Sequence, residues 1–283
     1  MANKKLKAPV NIPVEKIHPF EGHPYKVLDN DEMNNLIESI QQKAVISPIV
    51  VRPLEDTTDE YEIISGHRRL RASVKAGLET VPALIYAVSR DEAAIMLVDS
   101  NLHREHILPS EKAFAYKLKL DALKHQGKTS AQVGQKWSVE QVAEESSDSR
   151  SQIQRYIRLT NLIPELLELV DEKRIAFTPA IELSYLNEVE QADLVEEIHV
   201  CDATPNLSQA QRLRAISRDE GLTPEHIGEI LSEEKANQRE KIKIPAEKIR
   251  KYFPKSYTTD QIEEAIIKIC ESRYRARQGR DAR

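Results

Sequence analysis

YEIISGHRRLRASVKAG, residues 61–77, is the stretch whose reading decides the fold. YEIIS (61–65) is a short run of aromatic and β-branched residues, the composition of a buried strand. Gly66 breaks it, and HRRLRASVKA (67–76) then reads as a helix that stops at Gly77. Strand, glycine turn and helix in succession is the unit from which α/β layers are built. Outward from it, PIVVRP (48–53) and VPALIYAV (81–88) read as further strands. DNDEMNNLIESIQQ (29–42) reads as a helix with Met33, Leu36, Ile37 and Ile40 on one face.

Beyond residue 88 the strand signal ends and the chain reads as helices. Ser89 and Glu92 form a capping box for the next helix, and Pro109 suits the first turn of PSEKAFAYKLKLDALKH. The glycine-bearing polar stretch 125–137 and the charged stretch 231–245, ending on Pro245, predict two hinges. Three units are therefore expected, 1–125, 126–235 and 236–283. The fold class is α+β overall: a small α/β domain, an all-helical domain, and a small helical C-terminal segment.

Bulk properties narrow the function. With 40% hydrophobic and 31% charged residues the composition is that of a soluble globular protein. No apolar run approaches the roughly 20 residues that span a bilayer, and no apolar signal core follows the opening basic residues, so a cytoplasmic protein is expected. Cys201 and Cys270 stand in no metal-binding or disulfide spacing, and His103 and His106 lack a third ligand. A formal charge of -5 argues against indiscriminate coating of nucleic acid and leaves room for a locally basic surface.

Gly66, His67, Arg68 and Arg69 stand where a strand passes into a helix. Glycine lets the backbone approach a ligand, the free N–H groups of a helix start point at an anion, and arginines add charge-assisted donors, so a polyphosphate is the expected ligand. Further on, Ser138 with Gln141 caps a short helix carrying Val139, Val142 and Ala143. Ser149 with Gln152 caps a second, whose apolar stripe is Ile153, Tyr156 and Ile157. Two short helices joined by a polar turn suit a helix-turn-helix. Arg150, Ser151, Gln152, Gln154, Arg155 and Arg158 are the candidate DNA contacts, since Arg and Gln pair with guanine and adenine edges. Near the C-terminus, Thr258 and Gln261 cap a helix with Ile262, Ala265, Ile266, Ile269, Cys270 and Tyr274 in one stripe, a surface that suits self-association. A basic tail of Arg273, Arg275, Arg277, Arg280 and Arg283 follows.

Three of these segments carry a resemblance. SGHRRLRA (65–72) resembles the GERRxRA box of the ParB family of partition proteins. KAVISPIVVRP (43–53) resembles their GxxQPIxVRP segment, and SNLHREHILPSEKA (100–113) their ENxQRExLxPxEEA box. The boxes stand in family order at family spacing, and the likeness runs on through the helix-turn-helix, over roughly residues 10–180. The resemblance implies a ParB/sulfiredoxin-like N-terminal domain in which Gly66, Arg68 and Arg69 hold nucleotide phosphates and Asn101 and Arg104 complete the pocket. Ser47 and His67 occupy box positions that also face the nucleotide. It implies CTP with Mg2+ as ligand, Asn101 on the metal side, a palindromic double-stranded DNA site, a homodimer closed through the C-terminal segment, and a ParA-type ATPase as partner. Its place would be on the nucleoid or a plasmid.

The sequence also departs from the family pattern. His67 replaces the Glu of GERR, Ala44 and Ser47 replace a Gly and a Gln, and Ser100 replaces the Glu of ENxQR, the residue associated with metal handling and CTP hydrolysis. Nucleotide binding with hydrolysis lost or reassigned is the expectation. A Gly-x-His-Arg box also resembles the sulfiredoxin and free-serine kinase relatives of the fold, which leaves an adenine nucleotide and an enzyme, kinase or nuclease, as the alternative. A transcription regulator of the same architecture is the other.

Overall fold

The computed structural model describes residues 8–55, 57–102, 104, 106–125, 139–140, 142–144, 146, 148–233, 246–254 and 256–281, the side chains of 246, 247, 260 and 276–281 excepted. Five strands, β1 (Val10–Pro13), β2 (Ile17–His18), β3 (Ile49–Pro53), β4 (Tyr61–Ser65) and β5 (Thr80–Ile85), form one sheet in the order β1-β5-β3-β4-β2. β3 and β4 run antiparallel in the centre, β5 lies parallel to β3, and β2 parallel to β4. The three named strands are β3, β4 and β5. The two edge strands, β1 and β2, have no signature in the sequence, because four residues ending in proline and a run of two carry no readable periodicity.

Helices α1 (Asp31–Lys43) and α2 (His67–Lys75) cover one face of the sheet, and α3 (Arg90–Asp99) and α4 (Pro109–His125) cover the other. Neighbouring residues of β4 show both layers. Ile63 packs with Ile49, Val51, Val81 and Ala83, whereas Ile64 packs with Phe20, Leu97 and Ala115. Successive side chains of a strand point to opposite faces, so a centre strand buried on both reads as a continuous apolar run. α1 opens on Asn30, whose side chain accepts from Met33 N, and docks on α2 through Met33, Ile40 and Ala72.

α4 serves three cores, Ala113 belonging to the cluster of Leu159 and Leu166. Ala115 and Ala122 face α3, while Tyr116, Leu120 and Leu123 pack with Val139, Val142 and Ile153. Residues 139–140 and 142–144 are helical and are followed by α5 (Arg150–Arg158). The expected hinge over 125–137, His125 apart, and the capping box of Ser138 and Gln141 lie outside the described residues. Five more helices, α6 (Pro164–Asp171), α7 (Phe177–Leu183), α8 (Glu188–Cys201), α9 (Leu207–Asp219) and α10 (Pro224–Ser232), close on Leu166, Leu183, Leu194, Leu213 and Ile227. Reciprocal capping boxes at Asn187 and Asn206 set the starts of α8 and α9.

Contacts divide the chain into two units, Met1–Glu233 and Glu234–Arg283. The second holds α11 (Ala246–Arg250) and α12 (Thr259–Asp281), the latter opened by reciprocal bonds between Thr258 and Gln261. Of the expected stripe, Ile262, Ala265 and Ile266 are half-buried and Ile269, Cys270 and Tyr274 are exposed. Among the described residues no helix is long and apolar enough to cross a membrane.

Candidate functional site

The turn from β4 into α2 opens onto a cavity of about 250 Å³. Gly66 stands at its floor with φ 101°, a left-handed conformation costly for any residue with a Cβ. A Cβ there would also come within 2.9 Å of Ile49 Cγ2 and 3.0 Å of Arg69 Nη2. The first intrahelical bond of α2 is Leu70 N to Gly66 O, 3.0 Å, so the amides of residues 67–69 have no intrahelical acceptor. The helix start thus presents N–H groups and a positive dipole end to the cavity.

The structure gathers Gly66, His67, Arg68, Arg69, Asn101 and Arg104 around this space. Ser47 stands apart from the wall with an exposed side chain, and contributes only its carbonyl, which accepts from Arg69 Nη1 at 2.7 Å beside Pro48 O at 2.6 Å. Arg69 therefore ties the start of β3 to α2 while placing its charge on the wall. Arg68 pairs with Glu32 at 2.9 Å, and the Arg104 guanidinium lies 5.7 Å from the centre of the Tyr25 ring. Among the described residues no carboxylate lines the cavity.

The loop between β2 and α1 supplies four wall residues that the sequence reading missed: His23, Tyr25, Lys26 and Val27. His23 and His67 stack with ring centres 3.7 Å apart. Burial, then the neighbouring His23 and Arg104, push the His67 imidazole down to about 3, so it is neutral at physiological pH. Burial lowers His23 as well, against a backbone hydrogen bond involving Tyr25 that raises it. Burial pushes the Tyr25 phenol well above its ordinary range, opposed by Arg104, and keeps it a donor. Tyr25 OH and His67 Nε2 are buried and have no hydrogen-bond partner among the described residues. Buried polar atoms without partners are costly, and a bound ligand is one way of satisfying them.

At the far wall Ser100 Oγ donates to Leu97 O at 3.0 Å, and Asn101 Nδ2 donates to the same carbonyl at 2.7 Å. The serine proton is thus turned back onto α3, and the Asn101 amide oxygen accepts no hydrogen bond from the described residues. Asp99 pairs with the buried Lys119 at 2.5 Å. Among the described residues the cavity offers a magnesium ion the Asn101 amide and no carboxylate, where such an ion ordinarily takes one or two besides phosphate oxygens.

The helix-turn-helix is hung from α4. Asp148, just before α5, accepts from Tyr116 OH and pairs with Lys112 Nζ, each at 2.5 Å, and Ser149 Oγ accepts from Gln152 N at 3.3 Å. Ile153 is buried, with Tyr156 and Ile157 packed beside it. On the other face Ser151 and Gln154 are exposed and Gln152 is half-buried. Arg150 pairs with Glu140 at 3.1 Å, and Arg155 donates to Thr178 Oγ1 at 3.1 Å. Arg158 differs. It donates to Ser184 Oγ at 3.2 Å and Ser184 O at 3.1 Å, and lies 3.8 Å from the centre of the Tyr185 ring.

Comparison with known proteins places both modules. Residues 2–102 match the ParB N-terminal domain and residues 109–206 the ParB HTH domain. A nucleoid occlusion protein of Bacillus cereus is 33% identical over 233 residues, covering 82% of this chain and 70% of that protein. One from Listeria innocua is 35% identical over 190 residues, 67% of this chain and 62% of its own length. The chromosome-partitioning protein Spo0J of Thermus thermophilus is 33% identical over 166 residues, 59% of this chain and 56% of its own. The chain therefore spans less than two thirds of the length of the Listeria and Thermus relatives. Similar solved structures include C-terminally truncated ParB from Caulobacter crescentus complexed to the centromeric parS site, with 22% identity, TM-score 0.41 and coverage of 73% of this chain and 98% of that one. The same protein complexed with CTP-gamma-S has 25% identity, TM-score 0.33 and coverage of 68% and 99%. The strand–glycine–helix turn with its cavity lies in the first of these domains and the helix-turn-helix in the second, and this chain belongs to the ParB family.

Proposed function

We propose that the chain binds a palindromic double-stranded DNA site through α5 and its symmetry mate in a homodimer, that CTP in the α2 cavity gates this grip, and that the dimer acts as a clamp in partition of a chromosome, plasmid or mobile element. The observation that carries the nucleotide half is the cavity itself: among the described residues, a wall with three arginines and no carboxylate, helix-start amides without intrahelical acceptors, and two buried polar atoms without partners. Such a wall suits a polyanion, and ParB-family membership makes CTP the nucleotide of choice. The bared stripe of α12 supports the dimer, because exposed Ile269 and Tyr274 sit in continuity with Ile266. The cell position that follows is cytoplasmic, on the nucleoid or a plasmid, with a ParA-type ATPase as partner.

Turnover is proposed to be slow. Hydrolysis needs an oriented water and a well-placed cation. Here the carboxylate nearest the family position, Asp99, is engaged by Lys119, and Ser100 is turned onto its own helix. Equilibrium titration of CTP and phosphate release together test this. The unmodified protein binds CTP with little phosphate release, Arg69→Ala loses binding, and Ser100→Glu keeps binding and raises turnover. Rapid hydrolysis by the unmodified protein overturns the slow-turnover reading.

A further inference from the structure

The loop that walls the cavity is also fastened to the helical module. Lys26, a cavity residue, gives its backbone N–H to Glu111 Oε1 in the first turn of α4 at 2.8 Å. Its Nζ reaches Asp171 Oδ2, the last residue of α6, at 3.0 Å. The two partners are unequal. The Asp171 side chain is 7% exposed and also accepts from Ser110 N at 3.0 Å and Ser110 Oγ at 2.6 Å, whereas the Lys26 side chain is 44% exposed. If the ammonium leaves, Asp171 keeps two donors and avoids the full cost of an unpartnered buried carboxylate. Lys26, half in solvent on a flexible four-carbon stem, can turn to a second anion.

We propose that Lys26 is a further ligand-binding residue of the cavity and that it exchanges partners: Asp171 in the free protein, a nucleotide phosphate oxygen in the loaded one. Filling the cavity then detaches the end of α6 from the loop between β2 and α1. This rests on the nucleotide reading and adds the element through which the nucleotide is felt. One ammonium cannot fully serve two anions, so Asp171 opposes nucleotide binding from outside the cavity wall, and by linkage the nucleotide opposes the Lys26–Asp171 contact to the same degree.

The test is a double-mutant cycle read by CTP titration in the presence of magnesium. Asp171→Asn keeps an oxygen for Ser110 N–H but loses the charge, and should bind CTP roughly five-fold tighter than the unmodified protein. Lys26→Gln should bind more weakly, and in the Lys26→Gln background Asp171→Asn should change nothing. Hydrogen exchange on the unmodified protein supplies an arm that needs no variant: amides of residues 164–171 should exchange faster once CTP is added. Unchanged or weaker CTP binding by Asp171→Asn overturns the exchange of partners, as does a gain that persists without Lys26. Unchanged protection of 164–171 overturns it too, even where a variant fails to fold. An unmodified protein that binds no CTP overturns the nucleotide reading along with it.

Discussion

Ala44 is the residue at which the backbone is most plainly strained. It closes α1 with φ 57° and ψ -172°, a region that is essentially glycine's alone, and it stands where the ParB boxes have glycine. Ala44→Gly should therefore raise stability by about 1 kcal/mol, seen as a higher Tm, since relief of the strain outweighs glycine's entropy cost. An unchanged or lower Tm would show that the surroundings hold Ala44 without penalty. His67 gives a pH signature. Its pKa falls from 6.5 in the unfolded chain to about 3 in the folded protein, so folding favours the neutral ring. The stabilisation is complete above about 6.5 and is lost as pH falls from there toward about 3. In the ligand-free protein His67→Gln should flatten the decline of Tm across that window, and a decline as steep as before would place the acid sensitivity elsewhere. Gly66, Arg68 and Arg69 were legible because chain neighbours define the helix start. His23, Tyr25 and Lys26 were not, because a loop some 40 residues upstream reaches the cavity only through tertiary packing.

At the scale of the element, α5 was readable from its stripe, but the duties of its arginines were not. Periodicity assigns Arg150, Arg155 and Arg158 alike to the polar face. The structure separates them by degree: Arg155 gives one hydrogen bond to Thr178 in the first turn of α7, whereas Arg158 gives two to Ser184, just past the end of α7, and lies against the Tyr185 ring. Arg150→Ala and Arg155→Ala should each cost about 1–3 kcal/mol of affinity for the specific site with much less effect on random DNA. Arg158→Ala should instead lower Tm, by breaking the link to Ser184 and Tyr185. Competition binding and thermal melts on the three variants check this, and a specific-affinity loss at Arg158 with unchanged Tm would reverse the assignment. α4 was read over its full length, Pro109–His125, yet which module it belongs to was not legible. Residues on almost every side of it are buried, from Ser110 and Ala113 to Tyr116, Lys119 and Leu123, because it faces α3 on one side and α5 on another. A helix shared by three cores has no single apolar stripe to reveal which unit owns it.

At the scale of the whole molecule, the α+β class and the order of the modules were legible, since strand and helix periodicities segregate along the chain. The edge strands and the cavity wall were not, as both depend on segments that meet only in the folded protein. The C-terminal unit carries the assembly prediction. Ile266→Asp should give a monomer, because an unpaired carboxylate in an apolar seam costs several kcal/mol, and light scattering reads the outcome directly. A folded variant that remains dimeric at low micromolar concentration would put the seam elsewhere. One chain joining a nucleotide cavity to a DNA-reading helix should show the union in solution, by isothermal titration of the unmodified protein with CTP, ATP, GTP and UTP in turn, each with and without DNA carrying the site. CTP should bind selectively, with an affinity that changes when the DNA is present. Failure to bind any of the four, or equal affinity with and without DNA, would contradict a nucleotide-gated clamp.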